Sequence, residues 1–332
     1  MNNRSGLIRR ISYDEIPFQA QASFRARSLR IPEETLRRAW LGSFERELGA
    51  ISTKYTIGDA FCGAGGVSRG AALAGLAVSW GFDVDAIVGM SYLSNFPQAT
   101  FHQVDAQHFH TTPDVHVDVL HLSPSCQAFS AMNTTEDGGQ HGEYNRDSFL
   151  SCLAVVKHVR PRIVTMEQVP GILFARSSAY FNNFVRDLVD IGFSVRWDVL
   201  ACEHFGVPQT RKRLFLIASC PGHSLPSLPT ATGHASKVND YLHRSAQRTE
   251  FADRWHETIT TKGGLALDGS RLTIAELQAI QAFPYNHIFQ GTDAQIRRQI
   301  GNAVPPQLAR CIFMQVLDCL REVDRGDTIL IE

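Results

Sequence analysis

Tyr55-Thr56-Ile57-Gly58-Asp59-Ala60-Phe61-Cys62-Gly63-Ala64-Gly65-Gly66 is the stretch on which the fold turns. Its first half is a short, mostly apolar run that predicts a strand over 55–60. Its second half is a glycine-rich turn opening a helix predicted over 63–74. Glycines there let backbone approach a ligand, and a helix N-terminus offers free N–H donors. The next strand, Val78–Asp83, ends in an acid, and an acid at that place is the usual partner of ribose hydroxyls. The dinucleotide pattern G-x-G-x-x-G is not met, because Ser68 stands where the third glycine belongs. The unit predicts an adenosine-bearing ligand, with NAD, FAD, a nucleotide and S-adenosylmethionine all open at this step.

Strand and helix keep alternating beyond this unit. A helix runs to about Asn95, and strands follow at Thr100–Val104 and Val117–Leu122. A helix over Asp147–Val159 is ended by Arg160-Pro161, and Arg162–Glu167 is the next strand. Ala179–Ile191 is a helix with Gly192 just past its end. Phe193–Ala201 and Arg213–Ser219 are two strands whose connection is too short for a crossover helix, so they should be antiparallel neighbours. Seven strands with alternating helices predict a doubly wound α/β sheet with one antiparallel edge strand.

Prolines and glycines break this rhythm between 220 and 270. Helical spacing returns from Thr273, and Pro305-Pro306 opens a last helix. Before the sheet, Pro32-Glu33-Glu34 opens a helix whose Leu36, Trp40, Phe44 and Leu48 form one apolar stripe suited to docking. The expected organisation is an N-terminal arm and docking helix over 1–52 and a catalytic domain over 53–218. A small irregular module spans 219–270, a segment returning to the catalytic domain 271–322, and a tail 323–332.

The formal net charge is -1, so any nucleic-acid surface must be local rather than global. Arginines do gather near the start, at Arg9-Arg10, Arg25, Arg27, Arg30 and Arg37-Arg38, although acids accompany them. The seven cysteines include no C-x-x-C pair, which argues against a disulfide framework and a zinc site and fits a reducing compartment. No metal is expected. No apolar run is long enough for a membrane span, and the N-terminus lacks the apolar core of a secretory signal.

Three further segments carry chemistry. The apolar run Val117–Leu122 leads through Ser123-Pro124-Ser125 to Cys126, placing a cysteine among polar neighbours at the carboxyl end of a strand, where α/β sheets bind ligands. Glu167 ends another strand at the same sheet edge. In Gln209-Thr210-Arg211-Lys212-Arg213 the alternate residues Gln209, Arg211 and Arg213 share one face, an arrangement suited to phosphate or base contacts.

Together, and in this order, these segments resemble the cytosine-5 methyltransferases of DNA. Asp59–Gly66 resembles that family's cofactor motif and Ser125-Cys126-Gln127 its Pro-Cys-Gln nucleophile loop. Glu167-Gln168-Val169 resembles its Glu-Asn-Val motif, and Gln209-x-Arg211-x-Arg213 matches its Gln-x-Arg-x-Arg motif. Arg271-Leu272-Thr273 with Glu276 and Gln281-x-Phe283-Pro284 matches the segment after its target-recognition region, and Gln299–Val304 its closing motif. The resemblance covers about 55–218 and 271–322. Ser125 in place of proline and Gln168 in place of asparagine depart from the pattern. Restoring either family residue is expected to be tolerated or to raise activity.

The resemblance implies that Cys126 adds as a thiolate to C6 of a flipped cytosine, so that C5 can take a methyl group. It implies that Glu167 holds the ring at N3 and the amino group, that Arg211 supports the bound base, and that Gln209 and Arg213 complete the catalytic set. The implied cofactor is S-adenosylmethionine, lined by Phe61, Gly63, Gly65 and Gly66. Asp83 would take the ribose, Val84 would lie on the adenine, Asp105 would bond its edge, and Asn302 and Val304 would close the pocket. The implied partner is DNA, with chromatin or a partner protein aiding recognition, in the nucleus. Gln168 resembles the fungal branch linked to repeat-induced silencing and premeiotic methylation. The module over 219–270 is the implied target reader. Its sparse basic residues, Lys237, Arg244, Arg248, Arg254 and Lys262, predict a short or loose site such as CpG or cytosine in mixed context.

Three rivals remain at this point. One is the tRNA-methylating branch of the same family, whose Cys-Phe-Thr tripeptide is absent here. The second is a non-catalytic or weakly active DNA-binding chromatin protein of the same fold. The third is a nicotinamide dehydrogenase, which explains the glycine turn but not the Cys–Glu–Gln-x-Arg-x-Arg set.

Overall fold

The structure is a computed structural model that describes residues 9–11, 55–126, 129, 147–231, 256–265 and 269–326. The expected docking helix, residues 232–255 of the irregular module and the end of the tail lie outside these residues.

One mixed sheet of eight strands forms the centre, in the order β1-β4-β3-β2-β5-β6-β9-β7. The strands are β1 (Arg9–Ile11), β2 (Thr56–Ala60), β3 (Ala77–Asp83), β4 (Thr100–Gln103), β5 (Val119–Leu122), β6 (Ile163–Gln168), β7 (Ser194–Ala201) and β9 (Lys212–Ser219). Strands β2 to β6 are mutually parallel, whereas β9 runs antiparallel to both β6 and β7. The seven strands read from sequence are all present, and β1 adds to the far edge against β4.

The antiparallel strand does not sit where the sequence placed it. β9 lies one position in from the edge, between β6 and β7. Helix α4 (Ser178–Asp190) carries the chain past one empty strand position to the outside, and the short turn after β7 returns it into the gap. A connection that short cannot cross the sheet, so β9 must pair with β7.

Helices cover both faces. These are α1 (Gly66–Ala74), α2 (Ala86–Asn95), α3 (Cys152–Val159), α4, α5 (Ile274–Ile280), α6 (Asp293–Asn302) and α7 (Pro306–Arg325). α3 and α4 seal one face over Leu120, Val164, Met166 and Leu214. α1 and α7 seal the other, where Leu308, Ile312, Phe313, Val316 and Leu320 of α7 meet Ile57, Val67, Ala71 and Ile217. Each such side chain removed from water contributes about 1.5–3 kcal/mol, so α7 is a main support of the half of the sheet that carries the glycine turn. α5 and α6 share a smaller core of Leu277, Ile280, Phe283, Phe289, Ile296 and Ile300.

Registry places the chemistry on one edge. Ala60 pairs with Phe82 and Leu122, and Leu122 with Met166, so the glycine turn, Asp83, the Cys126 loop and Glu167 all emerge together. One buried row across the centre is polar: Asp59, His121 and Thr165 are successive cross-strand neighbours. No helix among the described residues is long and apolar enough to cross a membrane.

Candidate active site

The helix after the glycine turn begins at Gly66 rather than Gly63. Phe61, Gly63 and Gly65 have φ of 60°, 50° and 83°, and a right-handed helix cannot include them. A methyl group built on Gly63 would meet no heavy atom within 4 Å, so the turn is open there. On Gly66 the same methyl would lie 2.4 Å from the Val304 carbonyl oxygen, so only glycine lets the C-terminal segment close on the turn.

Ser68 earns its place under this turn. α1 has no side-chain cap of its own, and Asp59 on β2 replaces one. Asp59 Oδ2 accepts from the Ser68 N–H at 3.2 Å and from Ser68 Oγ at 2.7 Å. The other oxygen, Oδ1, is buried with no hydrogen-bond partner. Burial lifts the Asp59 carboxyl to about 7.

Asp83 is held by two backbone donors, Gly63 N to Oδ2 and Asp85 N to Oδ1, both at 3.1 Å. Each oxygen keeps acceptor capacity for a hydroxyl. Val84, beside it, is 46% exposed, an apolar surface free to lie against a flat ring. Asp105 starts the turn of 3-10 helix Ala106–Thr111, accepting from Gln107 N at 2.9 Å with one oxygen. Asn302 is exposed at the end of α6. Val304 closes the turn through its carbonyl, while its side chain packs in the α1–α7 core. The open floor at Gly63, the acid at Asp83 and the apolar Val84 fit an adenosine ligand.

The Cys126 loop is held at two points. Ser123 N donates to the Ala60 carbonyl at 3.2 Å. Gln168 Nε2 donates to the Pro124 carbonyl at 2.9 Å, and Gln168 Oε1 accepts from Val169 N at 2.8 Å. The glutamine at 168 thus anchors the loop that carries Cys126. Gln127 lies outside the described residues.

Cys126 is half-buried, and burial pushes its thiol up. Arg213 and Arg211 oppose that rise, while Glu167 adds to it. Glu167 itself is buried and paired with Arg213, Nε to Oε1 at 2.7 Å. A thiol, a carboxylate and two guanidinium groups therefore act on one another at this edge.

Gln209, Arg211 and Arg213 do share an inward face, but the first two serve the protein rather than a nucleic acid. Gln209, in β8 (Gln209–Thr210), donates to the Ile280 carbonyl at 3.1 Å and to Gln281, and accepts from Ile259 N at 3.2 Å. Arg211 is 1% exposed and donates to the carbonyls of Ile259, Gly301 and Ala303, each at 3.1 Å. Its Nε has no partner. Burial lowers its pKa to about 10, and it stays charged at neutral pH. Alternation along the strand told which residues turn inward, but not that the chain returns there 48–92 positions later.

The Arg271–Glu276 stretch proves to be a capping box. Thr273 Oγ1 accepts from Glu276 N at 3.2 Å, and Glu276 Oε2 accepts from Thr273 N at 2.7 Å, starting α5. Two ties escaped the sequence reading. His287 Nε2 donates to the Ala64 carbonyl at 2.9 Å, and Arg69 Nε donates to its Nδ1 at 3.3 Å, binding the returning segment to the glycine turn. Among the described residues no group of three or more His, Cys, Asp or Glu side chains is placed to hold a metal.

The family model for C-5 cytosine-specific DNA methylase matches residues 55–263 and 236–318. The chain belongs to that family. The family uses S-adenosylmethionine and acts on DNA. Among curated methylases, the type II methylase M.HgiDII of Herpetosiphon aurantiacus is 30% identical, over 82% of this chain and 98% of its own length. The type II methyltransferase M.MspI of Moraxella sp is 24% identical, over 85% of this chain and 75% of its own. In fold, this chain is similar to the S. pombe Dnmt2 methyltransferase, with TM-score 0.61 and 15% identity over 80% of this chain and 99% of that one. It is similar also to the Entamoeba histolytica methyltransferase EhMeth, with TM-score 0.63 and 16% identity over 81% of this chain and 99% of that one.

Proposed function

We propose that this protein is an active DNA cytosine-5 methyltransferase. The observation that carries the reading is the Cys126 thiol set at one sheet edge with Glu167, Arg213 and Arg211, beside an open glycine turn. S-adenosylmethionine, when bound at Phe61, Gly63, Gly65, Asp83, Val84 and Asp105, supplies an electrophilic methyl group.

The chain's own residues prepare the base. Cys126 forms a bond to C6 of the flipped cytosine, and the ring electrons move toward C5. Glu167 faces N3 and the amino group and shares a proton there, oriented by Arg213. Loss of the C5 proton later returns the electrons, and the C6–sulfur bond breaks.

The reading extends to a nuclear protein of the fungal silencing branch, which Gln168 supports, and to a short or loose target site. Tritiated methyl transfer to DNA and tRNA in parallel tests the substrate class. Duplex DNA carrying 5-fluorocytosine should trap a covalent complex that needs both S-adenosylmethionine and Cys126. Cofactor and DNA binding without trapping would favour the non-catalytic reading, and trapping by Cys126→Ala would show that the wrong nucleophile is named. Bisulfite sequencing of a plasmid methylated in vitro tests the site: one motif of four or more defined base pairs would contradict it.

A further inference from the structure

His121 is the polar exception in β5. Its strand neighbours Val119, Leu120 and Leu122 are buried and apolar, as are Val164 and Met166 beside them. His121 is 1% exposed, with its ring edge-on to Phe313 of α7 at 6.2 Å. Both ring nitrogens are engaged: Nδ1 lies 2.8 Å from Thr165 Oγ1 and Nε2 2.6 Å from Ser123 Oγ. Burial lowers its pKa to about 3, so the ring is neutral, with one nitrogen donating and the other accepting. The two hydroxyls it joins are not arbitrary. Thr165 is two residues before Glu167 on β6, and Ser123 opens the loop that carries Cys126.

We propose that Thr165–His121–Ser123 is a positioning chain that ties the Cys126 loop to the strand bearing Glu167. A proline beside the nucleophile would restrict the loop from within, by fixing its own φ and limiting the residue before it. Ser125 gives no such restraint. The loop is held from outside instead, at Ser123 through His121 and at Pro124 through Gln168. Beyond the backbone pairing of Leu122 with Met166 and of Ser123 with Ala60, side-chain hydrogen bonds to β6 then fix where Cys126 stands relative to Glu167. The ring is rigid and has two opposed polar atoms, which suits it to span from one strand to the loop of the next.

The inference rests on Cys126 being the nucleophile. The test uses the full chain with Ser123→Ala, Thr165→Val, and Thr165→Ser as the conservative control. Ser123→Ala and Thr165→Val should bind S-adenosylmethionine and DNA as the wild type does. Their rate of covalent trapping on 5-fluorocytosine DNA should fall by on the order of tenfold, the effect of one lost buried hydrogen bond in a constrained site. Thr165→Ser should keep the wild-type rate, and adding Ser125→Pro to Ser123→Ala should recover most of the loss. Unchanged trapping in both depleted variants, or a loss that Ser125→Pro does not recover, would overturn the proposal. If the wild type itself traps nothing, the methyltransferase reading fails separately. The rate of Cys126 alkylation by iodoacetamide, followed by peptide mass spectrometry, then decides the positioning role. A changed rate in Ser123→Ala and Thr165→Val supports it, and identical rates sink it.

Discussion

The two halves of the site are made of different material. The cofactor half is backbone: a turn of left-handed residues, an empty space beside Gly63, and a carboxylate fixed by main-chain donors. The nucleophile half is side chains bound to side chains and to distant carbonyls, with Glu167 on Arg213, Gln209 on Gln281, and Arg211 on three carbonyls. A backbone cradle tolerates substitution at its exposed members and fails at its glycines. A side-chain lattice fails wherever one partner is shortened.

Arg211→Ala should show the largest effect. It strips donors from two buried carbonyls and one half-buried one, each worth about 1–3 kcal/mol, so the loss is on the order of 5 kcal/mol. The thermal midpoint should fall by on the order of 10 °C, with Arg211→Lys restoring little because an ammonium cannot fork to three acceptors. A melt within 2 or so degrees of wild type, roughly the effect of under 1 kcal/mol, would break the contrast between the halves.

Asp59 comes next, through pH. Its carboxyl rises from 3.8 to about 7 on folding, so its protonated form is the one the fold prefers. That stabilisation is full below about 4, declines as pH rises, and is gone above about 7, a change of a few kcal/mol. His121, neutral in the fold, adds stability to both proteins as pH rises toward 6.5. Denaturant melts should therefore show the Asp59 effect as a difference: the wild type loses stability relative to Asp59→Asn between about pH 4 and pH 7. Equal slopes would mean that the buried oxygen is not the group titrating.

Asp83→Ala should lower affinity for S-adenosylmethionine about 10- to 100-fold in calorimetry, the cost of charge-assisted hydrogen bonds to the ribose. It should leave Cys126 alkylation unchanged, because nothing in the nucleophile half touches Asp83. Coupled losses would show that the halves are less separate than their construction implies.

Gln168→Asn is the finest probe, and here the structure reverses the expectation from sequence. Asparagine is one methylene too short to keep the 2.9 Å bond to the Pro124 carbonyl from the same backbone position. Loss of about 1 kcal/mol should slow covalent trapping severalfold. An unaltered rate would return the residue to the family's asparagine role.

Much of this was legible in the chain. Apolar runs located the central strands because the burial of β2, β5, β6 and β9 is nearly complete, and the motif residues fell on one edge because every parallel strand ends there. The start of α1 was misplaced because left-handed φ at Phe61, Gly63 and Gly65 leaves no mark on hydrophobic period. The position of β9 was misplaced because a short turn dictates pairing without saying on which side the pair lies. His121 was read as part of an apolar run, and only cross-strand registry reveals Thr165 beside it. Arg211 and Gln209 were read as nucleic-acid contacts because charge in a motif says nothing of which main-chain carbonyls will reach it.

Arg211 also has a consequence for how the molecule forms. Its three acceptors lie 48, 90 and 92 residues further along, so none of its bonds is local. Long loops must close before such contacts reward the chain, which slows them relative to local ones. During synthesis the sheet through β9 can assemble while that guanidinium is still unsatisfied. The edge that carries Cys126 and Glu167 stays incomplete until Ala303 arrives, and a chain arrested before that point would carry those two residues in an unfinished frame.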